Sequence, residues 1–133
     1  MNRHVKHLNN LLNIANDVIP VAAAKIAASI VINNKTISYG VNSYKSSPFQ
    51  KRFGKNEESI CVHAEISAIK NALNKMRVND LSSATLYVAR SKKENGNLVQ
   101  GMVKPCSGCQ RAIAAFNIKK VYYTEETTGY SCL

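Results

Sequence analysis

His63 and Glu65 stand two residues apart at the head of an apolar helical pattern, CVHAEISAIKNAL from Cys61 to Leu73. Further along the chain, Cys106 and Cys109 form a Pro-Cys-x-x-Cys unit. One imidazole nitrogen with two thiol sulfurs is a donor set that suits zinc. Structural zinc sites are closed by four protein ligands, whereas catalytic sites use three and keep water in the fourth position. His63, Cys106 and Cys109 supply the catalytic number. Zinc held in this way makes its water far more acidic than bulk water, so hydroxide is available near neutral pH. Glu65 is the candidate to take the proton from that water and pass it to a substrate nitrogen. A carboxylate suits that task because a dry pocket raises its pKa.

Each half of this set is weak alone. A His-x-Glu at a helix start is ordinarily a satisfied cap or a surface pair, and a Cys-x-x-Cys serves redox chemistry or half of a structural zinc site equally well. The weight lies in finding both, in order, with proline before the first cysteine and each unit opening a helix. Cys61 reads as a small buried residue near the site and Cys132 as a loose terminal thiol. His4 and His7 read as surface or cap residues, not as ligands.

The elements that must position these groups follow from periodicity. Apolar residues from Val5 to Ile19 recur at helical spacing until Pro20. Ala27 to Asn33 and Thr36 to Val41 read as strands of a hairpin turning at Asn33-Asn34-Lys35. The polar stretch from Ser43 to Ser59, with Pro48 and Gly54, reads as a long loop of the kind that covers or lines a site. A helix from Val62 or His63 to about Met76 presents Ala68, Ile69, Ala72, Leu73 and Met76 as its core stripe. Ala84 to Ala89 reads as a strand, the following RSKKENGN as a turn or hairpin tip, and Leu98 to Val103 as a short strand. Pro105 and Cys106 open a second helix running through Phe116, and Lys120 to Thr124 reads as another strand. Helices placed between strands predict a partly parallel sheet with helices on its faces. The sheet is expected either to be short or to be completed by the final TTGYSCL, with oligomerisation able to cover an exposed edge.

The 133 residues, 45% hydrophobic, fit one globular domain that needs no disulfide staples. No apolar run is long enough to cross a bilayer and the N-terminus MNRHVKHLNN has no signal-peptide core, so the expectation is a soluble, cytoplasmic protein with no membrane partner. Four cysteines in this pattern do not form a secreted disulfide framework. Eighteen Lys and Arg against eight Asp and Glu, a formal net charge of +10, favour phosphate-bearing partners without choosing among nucleotides, tRNA and single-stranded DNA.

The combination His63-Ala64-Glu65 followed by Pro105-Cys106-Ser107-Gly108-Cys109 resembles the zinc-dependent cytidine/deoxycytidylate deaminase superfamily. The resemblance covers about Ala27 to Thr124 in the order hairpin, HAE helix, strand, PCxxC helix, strand. It implies a three-layer α/β/α sandwich with a mixed sheet of about five strands. It implies zinc on His63, Cys106 and Cys109, and Glu65 as catalytic proton carrier. By the same resemblance Asn42, in Gly40-Val41-Asn42, holds a sugar hydroxyl, and the main-chain amide of Ala64 contacts the pyrimidine carbonyl. The His-Ala-Glu form, with Gly108 before the second cysteine and the run CQRAIAAFNIKKVYY, is closest to deoxycytidylate deaminases. Gly40-Val41-Asn42-Ser43-Tyr44-Lys45 departs from the Gly-Tyr-Asn-Gly usual there.

Tyr44 and Lys45 open a stretch in which Tyr44, Phe49 and Phe53 alternate with Lys45, Lys51, Arg52 and Lys55, and both are candidates for substrate contact. Aromatic faces with basic neighbours also suit single-stranded nucleic acid, while the plain alternative is aromatics packed on the core with solvated lysines. The expected activity is hydrolytic deamination of a cytosine base in a free nucleotide or nucleoside, dCMP to dUMP first. The second reading is a base deaminase acting on tRNA or single-stranded DNA. A third, of another class, is a non-catalytic zinc-stabilised nucleic-acid-binding module, against which Glu65 speaks.

Overall fold

A computed structural model describes residues 2–17, 25–42 and 63–133. The first helix, α1 (Arg3–Asn16), starts where the Asn2 side chain accepts from the His4 amide, at 2.8 Å. Strands β1 (Lys25–Ile32) and β2 (Lys35–Val41) form an antiparallel hairpin. Its two-residue turn places Asn33 and Asn34 at φ of 53° and 63°, the left-handed region that asparagine tolerates. Helix α2 (Ala64–Leu73) follows, then a 3-10 turn (Val78–Ser83), β3 (Thr85–Glu94), β4 (Asn97–Gly101), α3 (Ser107–Ala115), β5 (Lys120–Thr124) and β6 (Tyr130–Cys132).

The sheet has six strands in the order β2-β1-β3-β5-β6, with β4 paired to β3 as a hairpin extension. β3 and β5 are parallel, joined through α3, and all other pairings are antiparallel. Of the two alternatives for the tail, the structure takes the second: it adds β6 to the sheet, Tyr122 pairing with Cys132. Alternation along the central strands sends side chains to two cores. Ala28, Ile30, Leu86 and Val88 meet α2 and α3 on one face, with Ala68, Ile69, Ala72 and Ile113. Ala27, Val31, Tyr87 and Ala89 meet Leu8, Leu11 and Ala15 of α1 on the other. The result is the expected three-layer α/β/α sandwich. Each of the fully buried Leu11, Ile30, Ile69 and Leu86 contributes about 1.5–3 kcal/mol of apolar burial.

Several boundaries differ from the sequence reading. β3 runs on through Arg90 to Glu94, because the charged stretch is a solvated strand and only Asn95 and Gly96, both at positive φ, make the turn into β4. Helix α2 stops at Leu73 and does not reach Met76. His4 and His7 are not simple surface or cap residues. His7 is buried with Nε2 2.8 Å from Asn34 Oδ1, and the His4 ring stacks on Tyr122 with centroids 4.0 Å apart. Val18, Ile19, Pro20 and the stretch Ser43 to Ser59 lie outside the described residues. Among the described residues no helix is long and apolar enough to cross a membrane.

One buried hydroxyl joins three strands. Thr124 Oγ1 donates to the Gly101 carbonyl at 2.6 Å and accepts from the Arg90 amide at 3.2 Å. Thr124→Val keeps the shape but strands both backbone groups, so it is expected to cost about 1–3 kcal/mol, measured by urea denaturation. A loss below the error of that measurement would refute the role.

Candidate active site

Two helix N-termini converge on one place. His63 is the N-cap of α2, in extended conformation, and makes no side-chain cap bond, so its ring does not serve its own helix. Cys106 is the N-cap of α3 and its sulfur accepts from the Cys109 amide at 3.5 Å. The chain reaches Cys106 along a fixed path. The Val103 amide bonds the Thr124 carbonyl at 3.1 Å, and Gln110 Nε2 donates to the Pro105 carbonyl at 2.8 Å. Gln110 was missed from sequence, although an amide side chain one turn beyond the proline is the signal that could have found it.

α2 is pinned to β2 through polar and steric fits. Ser38 Oγ donates to the Ala68 carbonyl at 2.7 Å, Asn71 Nδ2 to the Tyr39 carbonyl at 2.7 Å and Lys75 Nζ to the Ile37 carbonyl at 3.0 Å. Gly40 lets the strand approach so closely that an added Cβ would lie 2.3 Å from the Ala68 nitrogen and 2.4 Å from the Ala64 oxygen.

His63 Nδ1 lies 3.2 Å from the Cys109 sulfur and 3.5 Å from the Cys106 sulfur, and the three donor atoms all fall within 4.8 Å of one another. A tetrahedral zinc with Zn–N of about 2.1 Å and Zn–S of about 2.3 Å separates nitrogen from sulfur by about 3.6 Å. The donor set therefore fits zinc in both chemistry and spacing. Accepting from Cys109 holds Cys106 down at about 3, with His63 beside it adding to the effect. Cys109 is pushed up, first by donating to Cys106 and then by burial. Thiols bind zinc as thiolates, so metal uptake is expected to release protons.

Glu65 is in the first turn of α2, only 4% exposed, against His63, Cys106 and Cys109. Burial pushes its carboxyl above the usual range, and the neighbouring His63 partly opposes this. A carboxyl with a raised pKa beside three metal-type donors can both accept and return a proton.

The family model of the cytidine and deoxycytidylate deaminase zinc-binding region matches residues 1–125. The chain belongs to this family. Zinc is the cofactor of this deaminase, and His63, Cys106 and Cys109 form its candidate site. The dCMP deaminase from the cyanophage S-TIM5, in apo form, superposes with a TM-score of 0.57 at 20% identity over 93% of this chain and 81% of its own. The same phage enzyme in complex with dCMP and dUMP gives 0.55 at 19% over 92% and 79%. A structure from work on A-to-I editing by tRNA:A34 deaminases at the wobble position of transfer RNA gives 0.50 at 22% over 92% and 77%. These likenesses are of fold. No curated protein matches the chain.

The other residues expected at the site are placed as follows. Ala64 is buried as the first residue of α2, where helix amides have no intrahelical acceptor. Asn42 is buried just past β2, and its Oδ1 accepts from the Ile26 amide at 2.9 Å, so the side chain also locks the end of the hairpin. Tyr44, Lys45 and Cys61 lie outside the described residues. Cys132 is an exposed free thiol on β6 and is not among the clustered donors His63, Cys106 and Cys109.

Proposed function

We propose that this deaminase hydrolyses the cytosine amino group of a free nucleotide, dCMP to dUMP. The observation that carries the reading is the buried Glu65 carboxyl set against the His63, Cys106 and Cys109 donors. A purely structural metal site has no use for that carboxylate.

When bound at His63, Cys106 and Cys109, zinc supplies Lewis-acid activation of a water molecule. Glu65 carries one proton of the water to ring N3 and the other to the exocyclic nitrogen; the C4–N bond breaks, ammonia leaves, and the water oxygen stays on C4 as the carbonyl. The buried setting raises the affinity of Glu65 for the proton between those events. The Ala64 amide donates to the pyrimidine carbonyl, an acceptor suited to a helix start. Asn42, fixed by Ile26, contacts the sugar hydroxyl, and Tyr44 and Lys45 contact the remainder of the nucleotide, Lys45 at the phosphate. The likeness to a phage enzyme solved with dCMP and dUMP supports a nucleotide substrate. A homo-oligomer in the cytoplasm completes this reading.

The second reading, a base deaminase acting on tRNA or single-stranded DNA, draws on the net charge of +10 and on the likeness to the tRNA:A34 deaminase work. The two separate by substrate. Protein carrying about one zinc per chain, as a three-ligand site requires, is incubated with cytidine, deoxycytidine, CMP, dCMP, a cytosine oligonucleotide and tRNA, and ammonia is followed. dCMP is expected to turn over fastest. Turnover of an oligonucleotide or tRNA with none of the free compounds would replace the first reading by the second. No ammonia from any of them, with zinc bound, would leave the non-catalytic module.

A further inference from the structure

A second pocket lies at the other end of the sheet, on the face covered by α1. It is a cavity of about 170 Å³ lined among others by Arg3, Lys120, Asn33, Ser83, Thr85 and Tyr87. Topology separates it from the active site. Thr85 and Lys120 are the paired first residues of β3 and β5, and Lys120 comes after the C-terminus of α3, whose N-terminus Cys106 caps. The nine-residue helix between them is roughly 14 Å long, and the sheet adds its own thickness.

The lining is polar and its charge is of one sign. Arg3 and Lys120 face the cavity, and among the described residues no acidic side chain lines it and neither cation has an ion pair. Ser83, Thr85 and Tyr87 add hydroxyls, and Asn33 adds an amide. Two cations held at one small cavity without a counter-charge repel each other, and an anion relieves that repulsion. The wall behind is rigid. Tyr87 is buried with its hydroxyl 2.6 Å from His4 Nδ1, and His7 grips Asn34 of the hairpin turn. The same positive field reaches His4, whose pKa is lowered by burial and then by Arg3, His7 and Lys120.

The volume is smaller than the roughly 300–1,000 Å³ of pockets that enclose a drug-sized ligand. It admits a tetrahedral oxyanion and not a whole nucleotide. We infer that this cavity binds a phosphate group, as the free ion or as the terminal phosphate monoester of a small molecule. Two fixed cations and a ring of hydroxyl and amide groups match a dianion of that shape.

The test uses the zinc-loaded full chain. Thermal unfolding is followed while inorganic phosphate, or ribose 5-phosphate, replaces chloride at constant ionic strength. A saturable rise of several degrees in the melting midpoint is expected, because a ligand that binds only the folded state stabilises it by mass action. The Arg3→Ala/Lys120→Ala variant is expected to keep its midpoint in chloride and its deaminase turnover, and to lose the phosphate-induced rise. A variant that keeps the full rise would place the anion elsewhere and overturn the inference, as would the lack of any saturable rise in the unaltered protein.

Should the double variant unfold early in chloride, Lys120→Met takes its place, with the imidazole proton resonances of His4 as readout. They are expected to move on phosphate addition in the unaltered protein and to stay still in the variant. Equal movement in both would overturn the inference. A tighter response to ribose 5-phosphate than to inorganic phosphate assigns the group to an organic ligand, and the reverse assigns it to the free ion.

Discussion

Glu65→Gln is expected to lower kcat for deamination by about 10²–10⁴-fold while zinc content and fold stay as they were. Glutamine keeps the size and shape of the side chain, so the buried space against Cys109 remains filled. What it loses, on the proposed function, is the ability to take a proton from water and pass it to the substrate. Burial already disfavours the charged form of Glu65, so a neutral amide imposes no new desolvation cost. Stability should therefore hold or rise slightly. The measurement is turnover of the best substrate at saturating concentration, alongside zinc stoichiometry on the same sample. Wild-type kcat in a zinc-loaded variant would remove Glu65 as the proton carrier.

Gly40→Ala is expected to be the most destabilising single methyl that can be added to the hairpin, at about 3 kcal/mol or more. The new Cβ would fall 2.3 Å and 2.4 Å from backbone atoms of α2, and a backbone cannot rotate away as a side-chain tip can. Either β2 or α2 has to move. Because α2 carries His63 and Glu65, the shift should also weaken zinc binding, and chelator competition should show it. Gly96→Ala is the control. Its φ of +83° is costly for alanine, yet nothing lies within 4 Å of the added carbon, so about 1–2 kcal/mol is expected. Urea denaturation of both proteins compares crowding with backbone conformation directly, and equal losses would mean that the close approach of strand and helix is not tight.

The donor set was legible in the chain because metal chemistry accepts few residue types. His63, Cys106 and Cys109 come together as the spacing implied, since each sits at a helix start and the two helices pack side by side. The strand order was less legible. Periodicity located β1, β2 and β5 within two residues, but the charged half of β3 reads as a turn, because a hairpin that projects into water carries no apolar alternation. The 3-10 turn at Val78–Ser83 carries no apolar period either. The roles of His4 and His7 were out of reach for another reason. Their partners Tyr87, Tyr122 and Asn34 lie far away in sequence, and the helical spacing of α1 says which face is buried, not which rings it meets. Gly40 gave no local sign that a helix backbone would press against it.

His63, Glu65, Cys106 and Cys109 are rooted in helix starts that the core holds in place, whereas Tyr44 and Lys45 belong to the stretch between Asn42 and His63. On the proposed function, the groups of the chemical step and two of the substrate contacts, Asn42 and Ala64, are anchored in the packed scaffold, and only Tyr44 and Lys45 are carried by the intervening stretch. Exchanging that stretch is then expected to alter which nucleotide is accepted more than how the C–N bond is cut.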